Sequence, residues 1–457
     1  MHNKNKSSIE QATTNVIVHQ DKRLRELKQE ADANRNRREA EIEFLEAQLR
    51  KMGIDPSTVK NEKNVPKQKP IMVYPSWGEM CKEAETAVGN NCKIESIFTE
   101  EELRSNELAI KKLRMEYNQI HKLDYMDIAI SAIAGVVGAA VDLLMIGIPQ
   151  KGSEGVEAGV LSDFIRKKFD EKFPETEMQK LANSKESKVP FDAQDNRHTT
   201  EYVTGLSAYY HRLLSLGHDP LLGFVVGVFD ILTGHMTTID KTGKIVSQVM
   251  ENYAGRREAN IFAALAKQII HFKSDVTTSM GLPAPLMGLF NLFQFGSIGE
   301  YEQTIAEIVQ GMYFEGYDFI HFCSMSIPTM LIEVIVRISY SMKRIKEGNK
   351  VRDSIPFSLN REKHPKLETM LFVAHSGATA INAGKVYFTK NPMAINYPQW
   401  FAFAKYSYKQ LKGVIIEKPA ARNAYIEGKL ADDWKSILAQ IDESFEEFSK
   451  DYVLVFE

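Results

Sequence analysis

The feature that most restricts the fold of this chain is an apolar run at positions 128–149. It reads IAISAIAGVVGAAVDLLMIGIP and holds 22 residues with a single charge, Asp142. A run of this length suffices for a membrane-spanning helix, which needs about 20 apolar residues. A carboxylate in such surroundings costs several kcal/mol unless it is paired, protonated or hydrated. Any fold of this chain therefore has to supply a partner for Asp142.

Three environments would satisfy this carboxylate. Asp142 can anchor helix packing by accepting hydrogen bonds from Ser, Thr or a backbone turn. We favour this environment, because hydrogen-bonded core acids are common. It can instead line a polar pocket with Asp230, His235, His375 or Asn382, or it can be a membrane-buried acid that lines a pore.

The composition indicates a globular protein with enough apolar residues for a sizeable core. The 457 residues are 44% hydrophobic and 26% charged, which suits two or three domains. A formal net charge of −3 gives no signal for nucleic-acid binding. Three cysteines fit a reducing compartment, and the polar N-terminus lacks the apolar core of a secretory signal. We expect a cytoplasmic protein, with peripheral association with the inner membrane as an open alternative.

The hydrophobic periodicity predicts a mainly α fold, with a long N-terminal helical arm before a helical core of glycine-rich apolar helices. We expect at most a small hairpin, at 236–248, where Thr, Ile and Val flank a Lys-Thr-Gly turn. A seven-residue spacing in 19–52 allows either a two-stranded coiled coil, through which the chain could self-associate or bind a protein partner, or a solvated single helix. The predicted domain boundaries are an arm at 1–56, a linker at 57–78, a helical subdomain at 79–195 and a main helical domain at 196–457.

Most of the remaining chain is predicted to be helical, with loop at 175–195 and two short strands at GVIIE and VLVF. The stretches 220–234 and 285–299 share Pro, Leu and Gly positions, which indicates either two similar buried helices or a duplication. The further helices are predicted at 199–216, 256–273, 301–320, 328–346, 368–384, 398–412 and 429–449.

Ionisable and amide side chains in the apolar runs are the candidates for a pocket or pore. Glu333 and Arg337 stand four residues apart, so we expect them to pair with each other for structural reasons. The candidates left for a binding site or pore lining are Asp142, Asp230, His235, His375 and Asn382.

Small and aromatic residues suggest how the helices pack and where a membrane would lie. Small residues spaced by fours let two helix backbones approach closely, in membranes and in tight soluble bundles alike. The candidates for helix packing are Gly135, Gly138, Gly223, Gly227 and Gly288. The aromatic residues of 397–412 are either typical of lipid headgroup contact or part of a core helix; the interface candidates are Trp400, Tyr406 and Tyr408.

No complete catalytic or cofactor motif is present. The sequence lacks GxxxxGK[ST], GxGxxG after a strand, HExxH and paired CxxC, so we predict no cofactor and no metal site. His211 and His218 are seven residues apart, which would place them on one face of a continuous helix. Gly217, Asp219 and Pro220 break that helix and argue against a shared site.

The segments HRLLSLGHDPLLGFVVGVFDILTG and HSGATAINAGKVYFTKNPMAINYPQWFAFAKYSYKQLK resemble an uncharacterised bacterial family that is loosely associated with mobile elements and defence loci. The resemblance covers about residues 120–412. It implies a bacterial host and an accessory role, and it implies no activity or site residue.

Three hypotheses on function follow. The first is a non-enzymatic bacterial accessory protein, as a defence effector, that associates with membrane through the helices of 128–149, 220–239 and 276–299. The second is a soluble helical scaffold or ligand sensor with a buried acidic pocket. The third is an unrecognised hydrolase that uses Asp230, His235 and His375.

Overall fold

The computed structural model describes residues 2–58, 71–90, 92–152, 155–298, 302–356, 360, 363–451 and 453–456. Helix makes up 71% of the chain, which confirms the predicted mainly α class. The α-helices are α1 His2–Lys51, α2 Trp77–Val88, α3 Glu100–His121, α4 Tyr125–Val141, α5 Val160–Lys172, α6 Glu175–Ala182, α7 His211–Leu214, α8 Val226–Thr233, α9 Ile261–Asp275, α10 Ile305–Phe314, α11 Phe319–Lys346, α12 Val351–Ser354, α13 Leu367–Thr389, α14 Tyr397–Lys412 and α15 Lys418–Asp451.

The strands form three two-stranded pairs within the described residues. They are β1 Ile71–Tyr74, β2 Gln150–Gly152, β3 Gly155–Glu157, β4 His235–Ile239, β5 Ile245–Val249 and β6 Val453–Phe456. β1 pairs with β6 in parallel, whereas β2–β3 and β4–β5 are antiparallel. The predicted hairpin is β4–β5, and its turn is closed by Asp240, which accepts hydrogen bonds from Thr242 and Lys244. Gly243 has a φ of 82°, a conformation that glycine adopts without strain.

The contacts divide the chain into two compact units, and this division differs from the predicted domain boundaries. One unit comprises Met1–Gln119 with Lys418–Glu457, and the other comprises Ile120–Glu417. The boundary predicted at 195 falls inside the second unit, because α4 packs against α11 and α13, which follow it by almost 200 residues or more. Local sequence pattern does not reveal such distant pairing.

In the first unit, α1 packs against α2 and against the 3₁₀ turn Ile94–Ile97. Arg23 lies 2.9 Å from Glu83, and the Arg25 guanidinium donates to the carbonyl of Ile97. Much of α1 is exposed, including Leu24. The coiled coil predicted for 19–52 stays a prediction, since these contacts are all made within one chain.

The centre of the second unit is a bundle of α4, α11, α13 and α14. A Cβ built on Gly135 would lie 2.6 Å from the carbonyl oxygen of Ala374, and one built on Gly138 would lie 2.5 Å from the side chain of Ile332. Glycine therefore lets α4 approach both neighbours closely, as the spacing of small residues predicted. A Cβ would meet atoms within 3.0 Å at the other predicted packing positions as well: Gly223, Gly227 and Gly288.

Two predicted helices are wrong in most of their length. The stretch 199–216 contains only the single turn α7, because Gly205 adopts a φ of 82° and the Gln248 side chain binds the backbone of Thr200 and Glu201. The described part of the stretch 276–299, which ends at residue 298, contains only the 3₁₀ segment Met287–Leu292. Its two prolines and a left-handed Leu286, with a φ of 64°, prevent a continuous helix.

Smaller differences have similar local causes. The predicted loop 175–195 begins with α6, and GVIIE is a π-helical turn that continues α14 into α15 rather than a strand. The predicted strand VLVF is β6. The two stretches with matching Pro, Leu and Gly differ in structure, since 220–234 holds α8 whereas the described residues 285–298 hold no α-helix.

Two helical stretches, Glu100–Ile146 and Phe319–Lys346, are long and apolar enough to cross a membrane by length and composition alone. About a third of the residues in each apolar window are buried in the protein, 33% and 39% respectively. Their outward faces therefore remain apolar, which allows membrane association without establishing it.

Candidate metal centre

Five ionisable side chains from separate parts of the second unit converge in its interior. Asp192 follows Phe191 in a turn-rich segment, His211 begins α7, and His218 ends the 3₁₀ turn Leu216–His218. His271 and Asp275 stand four residues apart on α9, so both side chains lie on the same helix face. We call these five residues the His/Asp cluster.

The donor atoms of the His/Asp cluster form two triads that share His218, and the spacing within each triad suits ligands around an ion. Asp192 Oδ1 lies 3.5 Å from His211 Nε2 and 3.6 Å from His218 Nε2. Asp275 Oδ2 lies 3.9 Å from His218 Nε2 and 3.7 Å from His271 Nε2. Two ligands that each lie about 2.0–2.2 Å from a metal ion are roughly 3–4 Å apart, so these separations match adjacent ligands. In each of the triads Asp192–His211–His218 and His218–His271–Asp275, the donor atoms lie within 4.8 Å of one another.

Backbone carbonyls fix the tautomers of two of the histidines. His211 Nδ1 lies 2.8 Å from the carbonyl oxygen of Ala208, and His271 Nδ1 lies 2.9 Å from that of Ser187. Because a carbonyl oxygen only accepts, each Nδ1 carries the proton. The Nε2 atom of each ring therefore presents its lone pair to the cluster, which is the arrangement found in histidines that bind metals.

Several atoms of the cluster are buried without a hydrogen-bond partner among the described residues. They are both ring nitrogens of His218, Nε2 of His271 and Oδ2 of Asp275. Buried polar atoms nearly always have a partner, because an unsatisfied one costs about 1–3 kcal/mol. Unsatisfied lone pairs that face one another indicate a group that binds between them.

The pKa shifts of Asp192, His211 and His218 favour the form of this triad that binds a cation at neutral pH. Burial lowers the pKa of His218 to about 4 and also lowers that of His211, against the opposing charge of Asp192. Burial alone would raise the pKa of Asp192, but its contact with His218 and the charges of the three imidazoles lower it below its usual range. Neutral imidazoles beside an ionised carboxylate are the protonation states that metal ligands require.

Arg212 orients the carboxylate of Asp275 by contacting the oxygen that faces away from the histidines. Its guanidinium lies 3.1 Å from Asp275 Oδ1 and donates to the Thr278 hydroxyl and to the carbonyl of Gly281. Asp275 Oδ1 is thereby engaged, and Oδ2 is left facing His218 and His271. Ligands supported by such outer contacts keep their orientation when a metal binds.

Solvent reaches the cluster from the side of Asp192. The side chain of Asp192 is 25% exposed, whereas those of His211, His218, His271 and Asp275 are exposed by 5% or less. Phe191 closes another side, with its ring 5.2 Å from that of His218 and 5.3 Å from that of His271. The cluster is thus buried, and Asp192 is its most exposed member.

The structure places Asp142 in the bundle rather than in this cluster. It begins a π-helical turn after α4, accepts hydrogen bonds from Asn382 (3.0 Å) and Asn396 (2.7 Å), and lies 3.2 Å from Lys385 Nζ. The partners are side-chain amides and an ammonium rather than the Ser, Thr or backbone turn of the favoured environment, and Asn382 is the one neighbour named in the polar-pocket alternative. Trp400 joins the same network by donating its indole N–H to Asn382.

Asp230 and His235 lie at the junction of α8 and β4 and do not meet Asp142. The carboxylate of Asp230 accepts hydrogen bonds from the backbone N–H and the hydroxyl of Thr237, at 2.9 and 2.8 Å. Burial raises the pKa of Asp230 to about 6, because the two bonds from Thr237 offset only part of the desolvation. His235 is half-buried and lies against the ring of Phe229.

His375 lies in the bundle, away from Asp230 and His235, so these three residues do not form the predicted hydrolase site. Its ring stacks on Tyr406 at 5.1 Å, and its Nε2 lies 3.8 Å from Glu333. Tyr406 is fully buried and donates to Glu333, which contradicts its prediction as an interface residue. Burial would raise the pKa of Glu333, but His375, Tyr406 and Arg337 lower it to about 2. The predicted pair of Glu333 and Arg337 is confirmed at 2.8 Å.

The sequence prediction missed the His/Asp cluster for an identifiable reason. The break after α7 was taken as evidence against a site with His211 and His218, yet this break folds His218 back beside His211, with ring centres 5.2 Å apart. The spacing of His271 and Asp275 on one face of α9 was the available signal. No family model, curated protein or solved structure matches this chain.

Proposed function

We propose that this chain is a metal-dependent hydrolase whose centre is the His/Asp cluster. The observation that carries the proposal is the convergence of three imidazole and two carboxylate donors, several of which are buried without another partner. This proposal keeps the hydrolase hypothesis and moves it to different residues. It differs from the expectation of an accessory protein without metal.

The donor set favours a divalent first-row transition metal. Nitrogen and oxygen ligands without cysteine suit Zn²⁺, Fe²⁺ and Mn²⁺, whereas structural zinc sites are usually closed by four Cys or His ligands. A bound ion of this kind lowers the pKa of a coordinated water to about 7 and so supplies hydroxide for hydrolysis. The exposed edge at Asp192 is the side from which water and a substrate would enter.

Metal content tests the first half of the proposal. We expect purified protein to hold about one equivalent of a divalent metal by inductively coupled plasma mass spectrometry, and His218→Asn with His271→Asn to lose it. The control is His321→Asn, since His321 is also buried but lies outside the cluster. Equal metal content in the double variant and the control would contradict the assignment.

Turnover tests the second half. We expect hydrolysis of at least one of p-nitrophenyl phosphate, bis-p-nitrophenyl phosphate and p-nitrophenyl butyrate, with loss in chelator and recovery on adding Mn²⁺, Fe²⁺ or Zn²⁺. Activity that survives in the His218→Asn/His271→Asn variant would come from another site or a contaminant. A metal-loaded protein that is inactive on substrates of all three types would contradict the hydrolase and leave a metal-binding protein.

A second candidate function is peripheral association with a membrane, which the outward faces of α4 and α11 favour. On α11, Met330, Val334, Ile338 and Met342 recur every four residues and are at least half exposed. On α4 and its π-helical extension, Ile133 and Leu144 are 61% and 79% exposed. Single exposed apolar residues are common on protein surfaces, but a contiguous apolar stripe of this length is typical of a surface that contacts a partner or a membrane.

Vesicle flotation tests the membrane candidate. We expect the wild-type protein to float with anionic vesicles and Val334→Glu/Ile338→Glu to remain in the dense fraction. Val351→Glu is the matched control, because Val351 is equally exposed but lies on α12, off the stripe. The defence role and the partner of residues 19–52 stay predictions, and neither is needed for these experiments.

A further inference from the structure

A large apolar cavity lies between α10, α14 and the 3₁₀ segment Met287–Leu292. Its volume is about 400 Å³, within the range of small-molecule pockets, about 300–1,000 Å³. Met287 and Phe290 line it from the 3₁₀ segment, Met312 from α10, and Phe401 and Ala404 from α14. An apolar ligand that enters this open cavity would remove its apolar walls from water, which favours binding.

The walls offer almost no hydrogen bonds to a ligand. Three lining side chains carry polar atoms, and two of these are already engaged. The Tyr317 hydroxyl donates to the carbonyl of Ile395 and accepts from the N–H of Tyr397, and the Trp400 indole donates to Asn382. The Tyr397 hydroxyl is buried and has no partner among the described residues, so it can offer one bond. The part of a ligand inside the cavity therefore has to be hydrocarbon.

The cavity opens beside a positive charge on α14. Trp400 and Phe401 are 38% and 41% exposed and form its rim with Ala404. Lys405 follows Phe401 by four residues, so it lies on the same helix face. It is exposed, its Nζ lies 5.1 Å from the centre of the Tyr406 ring, and it forms no salt bridge among the described residues. The exposed amine complements an anionic group held at the rim.

We propose that this cavity binds the single hydrocarbon chain of an anionic amphiphile, with the chain inside and the acidic headgroup at Lys405. A long-chain fatty acid and an acyl chain of an acidic membrane lipid share this chemistry. The proposal does not depend on the metal centre, because no member of the His/Asp cluster lines the cavity.

Contact quenching of Trp400 tests the proposal. The chain has three tryptophans, so Trp77→Phe/Trp434→Phe leaves Trp400 as the reporter. We expect 9,10-dibromostearate, below its micelle concentration, to quench Trp400 fluorescence with saturation at one equivalent. The measurement is made with metal-depleted and metal-loaded protein, and equal affinity is expected in both. Failure of the metal proposal would therefore leave this result unchanged.

Three variants in this background separate the cavity from unspecific binding. Ala404→Phe narrows the rim and should weaken binding by about tenfold or more, whereas Ala420→Phe, at an exposed position of α15, should not. Lys405→Met should weaken binding of dibromostearate about threefold and leave that of the matching dibromo alcohol unchanged. Circular dichroism and a thermal melt verify that each variant is folded.

The source of the chain is distinguished by vesicles of dibrominated phosphatidylglycerol. If the vesicles quench Trp400 in the parent protein but not in Ala404→Phe, a lipid chain enters the cavity from the membrane. Quenching by free dibromostearate alone identifies a soluble fatty acid. Quenching that is equal in Ala404→Phe and the parent protein, or absent with both probes, would overturn the proposal.

Discussion

Asp142 in the bundle and His218 in the His/Asp cluster are both buried, but they differ in whether their polar atoms have hydrogen-bond partners. In the bundle, Asp142 accepts from two asparagines and pairs with Lys385. In the cluster, neither ring nitrogen of His218 has a hydrogen-bond partner among the described residues, although the ring is fully buried. Satisfied polar groups specify packing, whereas unsatisfied ones that converge mark a place for a ligand. Burial of a charge alone does not separate the two cases.

The largest effect is expected from breaking the satisfied network in the bundle. Asp142→Ala leaves the Lys385 ammonium and two amides buried without their partner, so we expect a loss of about 3–5 kcal/mol in the free energy of unfolding. Urea titration of the metal-free protein measures it. Asp142→Asn retains one acceptor and should lose less. A loss below about 1 kcal/mol for Asp142→Ala would show that the network does not stabilise the bundle.

The second experiment adds a metal ion to the His/Asp cluster and measures the change in stability. A metal that binds only the folded state at 100–1,000 times its Kd should stabilise the wild-type protein by about 3–4 kcal/mol, and His218→Asn/His271→Asn should gain nothing. Thermal unfolding with and without metal measures this difference. Burial lowers the folded-state pKa of His218 from 6.5 to about 4, so the metal-free protein should also lose stability as pH falls through that interval. Equal stabilisation of wild type and variant would place the metal elsewhere.

Asp230 is an intermediate case, because its two bonds from Thr237 do not fully offset its burial. Its folded-state pKa is raised from 3.8 to about 6, so the folded protein holds this proton more tightly than the unfolded chain. The contribution of Asp230 to stability should therefore fall by about 3 kcal/mol as pH rises from 4 to 7. Urea titrations at several pH values measure how the free energy of unfolding changes with pH. Asp230→Asn should remove this fall in stability between pH 4 and 7, whereas Asp432→Asn, at an exposed position, should retain it. The same pH dependence of the free energy of unfolding in Asp230→Asn and wild type would contradict its attribution to Asp230.

The smallest effects test how tightly the bundle is packed. Gly135→Ala forces a Cβ within 2.6 Å of a backbone oxygen and should cost about 1–3 kcal/mol. Gly377→Ala meets nothing within 4 Å in the middle of α13 and should stabilise the protein by about 0.5–1 kcal/mol. Thermal unfolding of the two variants side by side measures the difference. Stabilisation by both substitutions would mean that α4 and α13 separate easily.

Much of the fold was predictable because its signals are local. The hairpin, α13 and α14 are found close to where periodicity and turn residues placed them, whereas α11 begins at Phe319, nine residues before the helix predicted at 328–346. The stretches 199–216 and 276–299 were wrong because contacts from elsewhere and left-handed residues overrode an apolar pattern. Of the partners that the polar-pocket alternative named for Asp142, the structure brings only Asn382 into contact with it. Tyr406 is buried rather than at an interface, because an aromatic side chain gives the same sequence pattern in a core and at an interface.

The sequence by itself determined that the protein is mainly helical and that Asp142 needs a partner, because both follow from residue types within one segment. Only the tertiary structure decided that Lys385 and Asn396 would be among its partners, and that Asp192, His211, His218, His271 and Asp275 would meet. The physical reason is that helix periodicity is set by neighbours within a few residues, whereas a ligand site is set by which distant faces pack together. A single sequence records the first and leaves the second open.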